Sequence, residues 1–389
     1  MGGKYTISLN NLTMMKTGKK IIISGYYGFG NTGDEAILSA MVSALKSSIS
    51  GAEIVVLSQD TLNTSSNYDV RAIVRKNPLL LARELINADL FISGGGGLIQ
   101  DVTGVSTIQY YLGLVLIAKL MRKKVMYYAQ GIGPINTEEG RWYTRFISNM
   151  VDLITVRDDE SKEELRKIGI LKTPIIVTAD PVLALESASR ERIEEILRSE
   201  GIEEEKTRIA VSIRPWKASV DYLSIFAECA DRLKKELNAQ IVLIPFQKSQ
   251  DLDVCEKVKA LMKEPAVLLQ GDYRPEELQG LLGSVDLVIG MRLHSLIFAA
   301  TQYVPMIGVV YDPKVKVFSD SIGALSHPLE KISIQELCKS AEKVYNNREE
   351  VRARLKKEIG EMKIKALKTA SLAERLVKCR GPVRSLEEI

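Results

Sequence analysis

Short continuous apolar runs alternate along this chain with longer stretches of helical periodicity, in two successive passages. In the first, runs at 21–24, 54–57, 90–93, 125–129, 153–156 and 175–178 predict strands, with helices such as 34–48 and 106–121 between them. The second passage repeats the scheme with strands at 209–213, 241–244, 267–269, 287–289 and 306–310 and helices that include 220–237 and 252–262. An apolar run without polar alternation marks a strand buried on both faces, and strand–helix–strand order marks a parallel sheet. Between the passages, 183–206 is polar and strongly charged, which puts a domain boundary at about 182–186. The expected fold class is therefore α/β: two Rossmann-like, doubly wound parallel-sheet domains, 1–183 and 184–389, facing a cleft, with a helical C-terminus. From Ser333 onward the pattern is helical. Val351, Leu355, Ile359, Met362 and Ala366 line one side, and Arg352, Arg354, Lys356, Lys357, Lys363, Lys365 and Lys368 the other. That basic side reads either as a solvated face of a helix docked on a domain or as a face turned to anionic lipid headgroups.

Ligands of such sheets bind beyond the carboxyl ends of the strands, so the residues just after each apolar run are the candidates for chemistry. Gly290-Met291-Arg292-Leu293-His294-Ser295 follows one strand and opens a helix. It puts a guanidinium and one of only two histidines where free N–H groups and a positive dipole end favour an anion. The plainer reading is a surface arginine and a capping histidine. Gly25-Tyr26-Tyr27-Gly28-Phe29-Gly30-Asn31-Thr32-Gly33-Asp34-Glu35 follows the first strand. Its glycine spacing is neither a dinucleotide fingerprint nor a Walker loop, and two carboxylates there would repel a pyrophosphate and suit a sugar better. Ser93-Gly94-Gly95-Gly96-Gly97 with Gln100-Asp101, Ala129-Gln130-Gly131-Ile132-Gly133-Pro134 and Asp180-Pro181 end three further strands. In the second passage the strand ends carry cations: Arg214 and Lys217, Lys248, Arg292, then Tyr311-Asp312-Pro313-Lys314. Neutral-to-acidic loops on one side and cations on the other suggest a polyhydroxyl acceptor on the first domain and an anionic donor on the second.

Composition narrows the field further. With 53 basic against 49 acidic residues there is no polyelectrolyte face to indicate nucleic acid, and 46% hydrophobic content is that of a protein with full cores. Cys229, Cys255, Cys338 and Cys379 are far apart and read as thiols of a reducing compartment, with no metal-ligand spacing. The longest apolar run is too short to span a bilayer, and the N-terminal stretch lacks the apolar core of a secretory signal. Met1-Gly2-Gly3-Lys4-Tyr5-Thr6 fits the loose myristoylation pattern, which is short enough to arise by chance. A cytoplasmic location is expected.

Gly30-Asn31-Thr32-Gly33-Asp34-Glu35, Ser93-Gly94-Gly95-Gly96, Val156-Arg157-Asp158 with Ser161, Asp180-Pro181-Val182-Leu183 and Gly290-Met291-Arg292-Leu293-His294-Ser295 together resemble the polysaccharide pyruvyl transferases. They run in that family's order over residues 20 to 325. The likeness is to bacterial enzymes that pyruvylate N-acetylmannosamine (ManNAc) of a secondary cell-wall polymer, a ketal read by S-layer homology domains. The resemblance implies a GT-B-like architecture and phosphoenolpyruvate as donor and co-substrate, with no cofactor or metal. It also implies a lipid-linked ManNAc-containing saccharide as acceptor, met at the inner face of the membrane. The family's donor arginine and its Arg-Leu-His carry over onto Arg214, Arg292 and His294, which are the expected catalytic residues. Donor contacts are expected from Arg214, Arg292, Leu293, His294, Tyr311 and Lys314. Acceptor contacts are expected from Gly28, Gly30, Asn31, Asp34, Gly95, Gly96 and Asp101, with Asp34 or Asp101 as base. Two other classes compete: a nucleotide-sugar glycosyltransferase of the same architecture, and a glycan-binding protein without chemistry. The glycine spacing disfavours a dinucleotide-dependent oxidoreductase.

Overall fold

A computed structural model describes residues 18–102, 104–379 and 381; the readings made on residues 1–17, the myristoylation pattern among them, lie outside these. The first half builds an all-parallel sheet from β1 (Lys20–Ser24), β2 (Glu53–Ser58), β3 (Arg71–Val74), β4 (Leu90–Ser93), β5 (Gly96–Ile99), β6 (Lys124–Ile132), β7 (Leu153–Val156) and β8 (Ile175–Val177). Their order is β3-β2-β1-β4-β6-β7-β8, with β5 added on β6. The second half builds a six-stranded parallel sheet from β9 (Thr207–Ser212), β10 (Ala239–Leu243), β11 (Val267–Leu268), β12 (Leu287–Gly290), β13 (Met306–Val310) and β14 (Leu325–Pro328), ordered β11-β10-β9-β12-β13-β14. Ile21, Ile22 and Ile23 of β1 are wholly buried, as a strand covered on both faces requires. Three strands were absent from the expected set. β14 has no apolar run and no buried residue, and β3 offers only the three-residue run 72–74, of which Ile73 alone is buried; both are sheet edges. The third, β5, forms inside the glycine stretch expected to be loop.

Both sheets reverse their winding beside the central strand. In the first the reversal falls between β1 and β4, in the second between β9 and β12. Loops leaving these strands diverge above and below the sheet and open a crevice. The two crevices face each other because the layer between the sheets is shared. Ile37 and Met41 of the helix Thr32–Ser48, Leu281 of Pro275–Gly283, and Leu296 and Phe298 of Leu293–Thr301 belong to one continuous buried cluster. The helix Arg348–Lys378 runs along the same layer. Leu355, Ile359, Ala366, Ala370, Leu372 and Leu376 of it enter that cluster. Near its end the Leu376 carbonyl accepts from Lys124 Nζ of β6 at 2.7 Å. Lys356, Lys357, Lys363, Lys365 and Lys368 stay exposed on its other side. Among the described residues no helix is long and apolar enough to cross a membrane.

Candidate active site

A cleft of about 860 Å³ lies where the two crevices meet. Every residue expected to touch the donor lines it: Arg214 after β9, Arg292, Leu293 and His294 after β12, and Tyr311 and Lys314 after β13. Of those expected on the acceptor side, Asn31, Asp34 and Gly96 line it too. Gly28 and Gly30 border a neighbouring groove instead. Gly95 is packed under Ile37, whose Cγ2 would be 2.8 Å from an added Cβ. Asp101 is also turned away. Its carboxylate accepts from the backbone N–H of Asn136 at 2.9 Å and of Thr137 at 2.7 Å, and from Thr137 Oγ1 at 2.8 Å. Burial opposes its ionised form, but those hydrogen bonds prevail and hold it below the usual carboxylate range. Such a group ties a turn and does not exchange protons with a substrate.

The start of the helix Leu293–Thr301 is built around its own sequence. Ser295 Oγ donates to the Arg292 carbonyl at 2.6 Å, and a Cβ at Gly290 would sit 2.4 Å from that oxygen. Arg292 itself is held from beneath. Nε donates to Asp251 Oδ2 at 3.0 Å and Nη2 to Asp251 Oδ1, and Asp251 also accepts from the Gln247 N–H at 2.9 Å. Asp251 is wholly buried, so this is a forked ion pair in a dry setting. The arginine expected to hold an anion is thus itself positioned by a carboxylate forty-one residues away, beyond any local motif. Arg214 differs. Its Nη1 donates to Tyr311 Oη at 2.9 Å and its guanidinium stacks on Tyr311 and Trp216, 4.8 and 5.5 Å from the ring centroids. Nε of Arg214 is buried with no hydrogen-bond partner among the described residues.

His294 is wedged between halves. On its Nδ1 side lies Gly33, where an added Cβ would be 2.1 Å away. On the other, Nε2 is 3.8 Å from Asp180 Oδ2. Asp180 also pairs with Arg157 Nη1 at 3.3 Å. Burial depresses the imidazole to about 4; Asp180 opposes the shift, while Arg157, Lys314 and Arg292 add to it. Asp34 goes the other way. Burial first, then the Glu35 charge, push its carboxyl up to about 7, with Lys314 and Arg292 pulling back. Gly96, at φ +90°, passes beneath it; a Cβ there would be 3.1 Å from Asp34 Oδ1. Glu35 closes its own loop, accepting from the Gly28 N–H at 2.8 Å and from Tyr68 Oη at 2.9 Å.

The expected split between an acidic-to-neutral first wall and a cationic second wall does not hold. Arg75, Lys76 and Arg157 of the first half line the same cleft. Arg75 follows β3, an edge strand outside the expected set. Arg157 and Asp180 stood in recognised motifs, yet nothing in the spacing joined either to His294. Among the described residues no group of three or more His, Cys, Asp or Glu could hold a metal ion.

Residues 31–313 match the family described as polysaccharide pyruvyl transferase. The amylovoran biosynthesis protein AmsJ of Erwinia amylovora is 21% identical over 355 residues, which cover 76% of this chain and 84% of AmsJ. Among solved structures, a glycosyltransferase from Rickettsia africae has a TM-score of 0.64 at 12% identity, over 94% of this chain and 100% of its own. Anabaena HepE, solved with UDP and glucose, has a TM-score of 0.61 at 12% identity, over 92% of this chain and 100% of its own. Likeness at that identity is one of fold, and the fold is GT-B-like: two parallel-sheet α/β domains with a helical C-terminus.

Proposed function

Because this chain belongs to the polysaccharide pyruvyl transferase family, we propose that it forms a 4,6-linked pyruvate ketal on a ManNAc residue of a lipid-linked cell-wall precursor. Phosphoenolpyruvate is the donor and phosphate the leaving group. The product is a secondary cell-wall polymer of the kind that anchors an S-layer. The enzyme works in the cytoplasm, where its acceptor is presented at the inner face of the membrane. The observation that carries this reading is the convergence of Arg214, Arg292 and Lys314 with two oppositely shifted proton carriers, Asp34 and His294, in one cleft. Fixed cations match a donor with a carboxylate and a phosphate, and carriers whose pKa values are pushed apart match a reaction that adds one proton while removing another.

In the proposed sequence Arg214 and Arg292 hold the donor's carboxylate and phosphate, with Lys314 on the phosphate. His294, neutral near pH 7, takes the proton of the first acceptor hydroxyl as its oxygen bonds to C2; Asp180 then stabilises the imidazolium. Protonated Asp34 delivers its proton to C3, turning the methylene into a methyl. The second hydroxyl bonds to C2 as the C2–O bond to phosphate breaks. Its proton returns to the Asp34 carboxylate, and the imidazolium proton leaves with phosphate. Both carriers are restored.

The test is phosphate release from phosphoenolpyruvate with and without a ManNAc-containing prenyl-diphosphate disaccharide, alongside mass spectrometry of the glycan. Acceptor-dependent release with a mass gain of one pyruvate less one water is the expected result. Absence of release with every ManNAc acceptor, under conditions where the protein is folded, removes the assignment.

A further inference from the structure

The chemistry above leaves a cation on the first-half wall without a task. Arg75 directly follows β3, lines the cleft and is only 9% exposed. Its guanidinium lies 4.8 Å from the Phe29 ring centroid and 4.6 Å from that of Tyr110. Nε donates to Tyr110 Oη at 3.2 Å and Nη2 to Tyr111 Oη at 3.3 Å. All of these partners are neutral phenols or ring faces. Of the other cleft arginines, Arg292 is ion-paired with Asp251 and Arg157 with Asp158 and Asp180, while Arg214, which has no ion pair with a described residue, is the one given to the donor. Arg75 forms no ion pair with any described residue. A guanidinium taken out of water without a counter-charge is a costly arrangement unless an anion arrives. Lys76 beside it is exposed and lines the same cleft. The helix Val105–Leu120 also begins at this wall; its N-cap, Gly104, offers no side-chain cap, and Ser106 lines the cleft.

We infer that this wall is an anion subsite for the acceptor, which binds a phosphate ester carried by the acceptor sugar, so that the substrate is an esterified saccharide and not a free glycan. The inference deepens the reading above and rests on it: the donor's two anionic groups are met by Arg214, Arg292 and Lys314, so the ester at Arg75 belongs to the second substrate. The stacked rings of Tyr26 and Phe29, 4.1 Å apart between centroids, extend the same wall with an apolar face suited to a sugar ring. A lipid diphosphate and a nucleoside diphosphate would offer the same ester chemistry.

The experiment presents one ManNAc disaccharide free, on a short prenyl diphosphate and on a nucleoside diphosphate. Wild type is compared with Arg75→Gln and Lys76→Gln. Wild type should favour an esterified form by about tenfold or more in kcat/KM, the worth of one charge-assisted hydrogen bond. Preference between the two diphosphates identifies the source of the ester, and either supports the subsite. Arg75→Gln should raise KM for the esterified acceptor by about tenfold or more while KM for phosphoenolpyruvate moves less than about twofold. Lys76→Gln, a change at an exposed side chain that leaves the packing intact, should shift the same KM in the same direction, more weakly at high salt. Equal rates on free and esterified sugar overturn the inference, as does a parallel loss of donor affinity in Arg75→Gln. Calorimetric titration of the prenyl-diphosphate disaccharide without donor separates the two hypotheses. Binding lost in Arg75→Gln supports the subsite even if pyruvyl transfer fails, and binding indifferent to that change overturns it even if transfer succeeds.

Discussion

Asp34 at about 7 and His294 at about 4 have exchanged the order that a carboxyl and an imidazole keep in water. The proposed chemistry needs Asp34 protonated and His294 neutral, so kcat/KM should be highest at mildly acidic pH. It should fall above about 7 as Asp34 ionises and below about 4 as His294 is protonated. A pH–rate profile of wild type checks this; a profile that keeps rising beyond pH 8 contradicts the role given to Asp34. Asp34→Asn should lower kcat by about 10²–10⁴-fold. The same substitution has a stability signature of definite sign. A carboxyl whose folded pKa is raised contributes fully below its unfolded pKa, near 3.8, and loses that contribution as pH rises through about 7. Above pH 7 the variant should therefore be more stable than wild type, by about 1–2 kcal/mol once screening in a cleft open to solvent is discounted. Urea melts at pH 5 and pH 8 read it, with the larger gain at pH 8. Arg292 offers a contrasting case. Asp251→Ala would strand a buried guanidinium and should cost about 3–5 kcal/mol, together with a rise in KM for phosphoenolpyruvate. If thermal unfolding of that variant matched wild type, Arg292 would not depend on Asp251 for its place.

At the scale of elements, the site is a product of where the strands stop. Asn31 and Asp34 follow β1, Gly96 follows β4, Arg214 follows β9, and Arg292 and His294 follow β12. These are the four strands that flank the two points of reversed winding. The loops then meet because one helix start leans on another. The Thr32 N–H donates to the Phe246 carbonyl at 3.0 Å, and Gly33 packs on the His294 ring. Gly33→Ala should force the ring out of its seat between Gly33 and Asp180, lowering kcat by at least about tenfold while overpacking costs about 1–3 kcal/mol. Steady-state kinetics beside a melting curve would show it; a fully active, equally stable variant would mean that the two helix starts are not in fixed contact. Much of this was legible beforehand. Buried strands such as β1 and β12 announce themselves by unbroken apolar runs, and the residues after them carried the rare Arg-Leu-His. What stayed hidden has a physical reason in each instance. Arg75 follows β3, a four-residue edge strand whose short run 72–74 has only Ile73 buried and lies outside the expected set. Asp251 sits in the first turn of the helix Lys248–Leu261 and looks like a helix-start acid until the fold brings Arg292 onto it. Asp101 had the right place after glycines, but its carboxylate is spent on Asn136 and Thr137.

For the whole molecule, the decisive feature is that the two sheets share one inner layer. Phe298, Leu296 and Leu281 from the second half and Ile37, Met41 and Val182 from the first are parts of a single buried cluster, and the C-terminal helix threads it. Parting the halves would expose these side chains, each contributing about 1.5–3 kcal/mol when buried. A handful of them reaches the 5–15 kcal/mol that is the total stability of a typical domain. Neither half should therefore outlast the other during unfolding, even though each has its own sheet. The chain carries a natural probe of this, since it has two tryptophans, one in each half. Trp142 stacks on Phe146 in the helix Glu138–Ser148, and Trp216 meets Tyr311 edge-on beside the cleft. Trp142→Phe and Trp216→Phe variants each report on one half by fluorescence in urea. Coincident midpoints are expected, and two separated transitions would show the shared layer to be weaker than its burial implies. The same cooperativity bears on function: with His294 carried on a helix of the second half and held between Gly33 and Asp180 of the first, the proton carriers keep their shifted pKa values only while both halves stay docked.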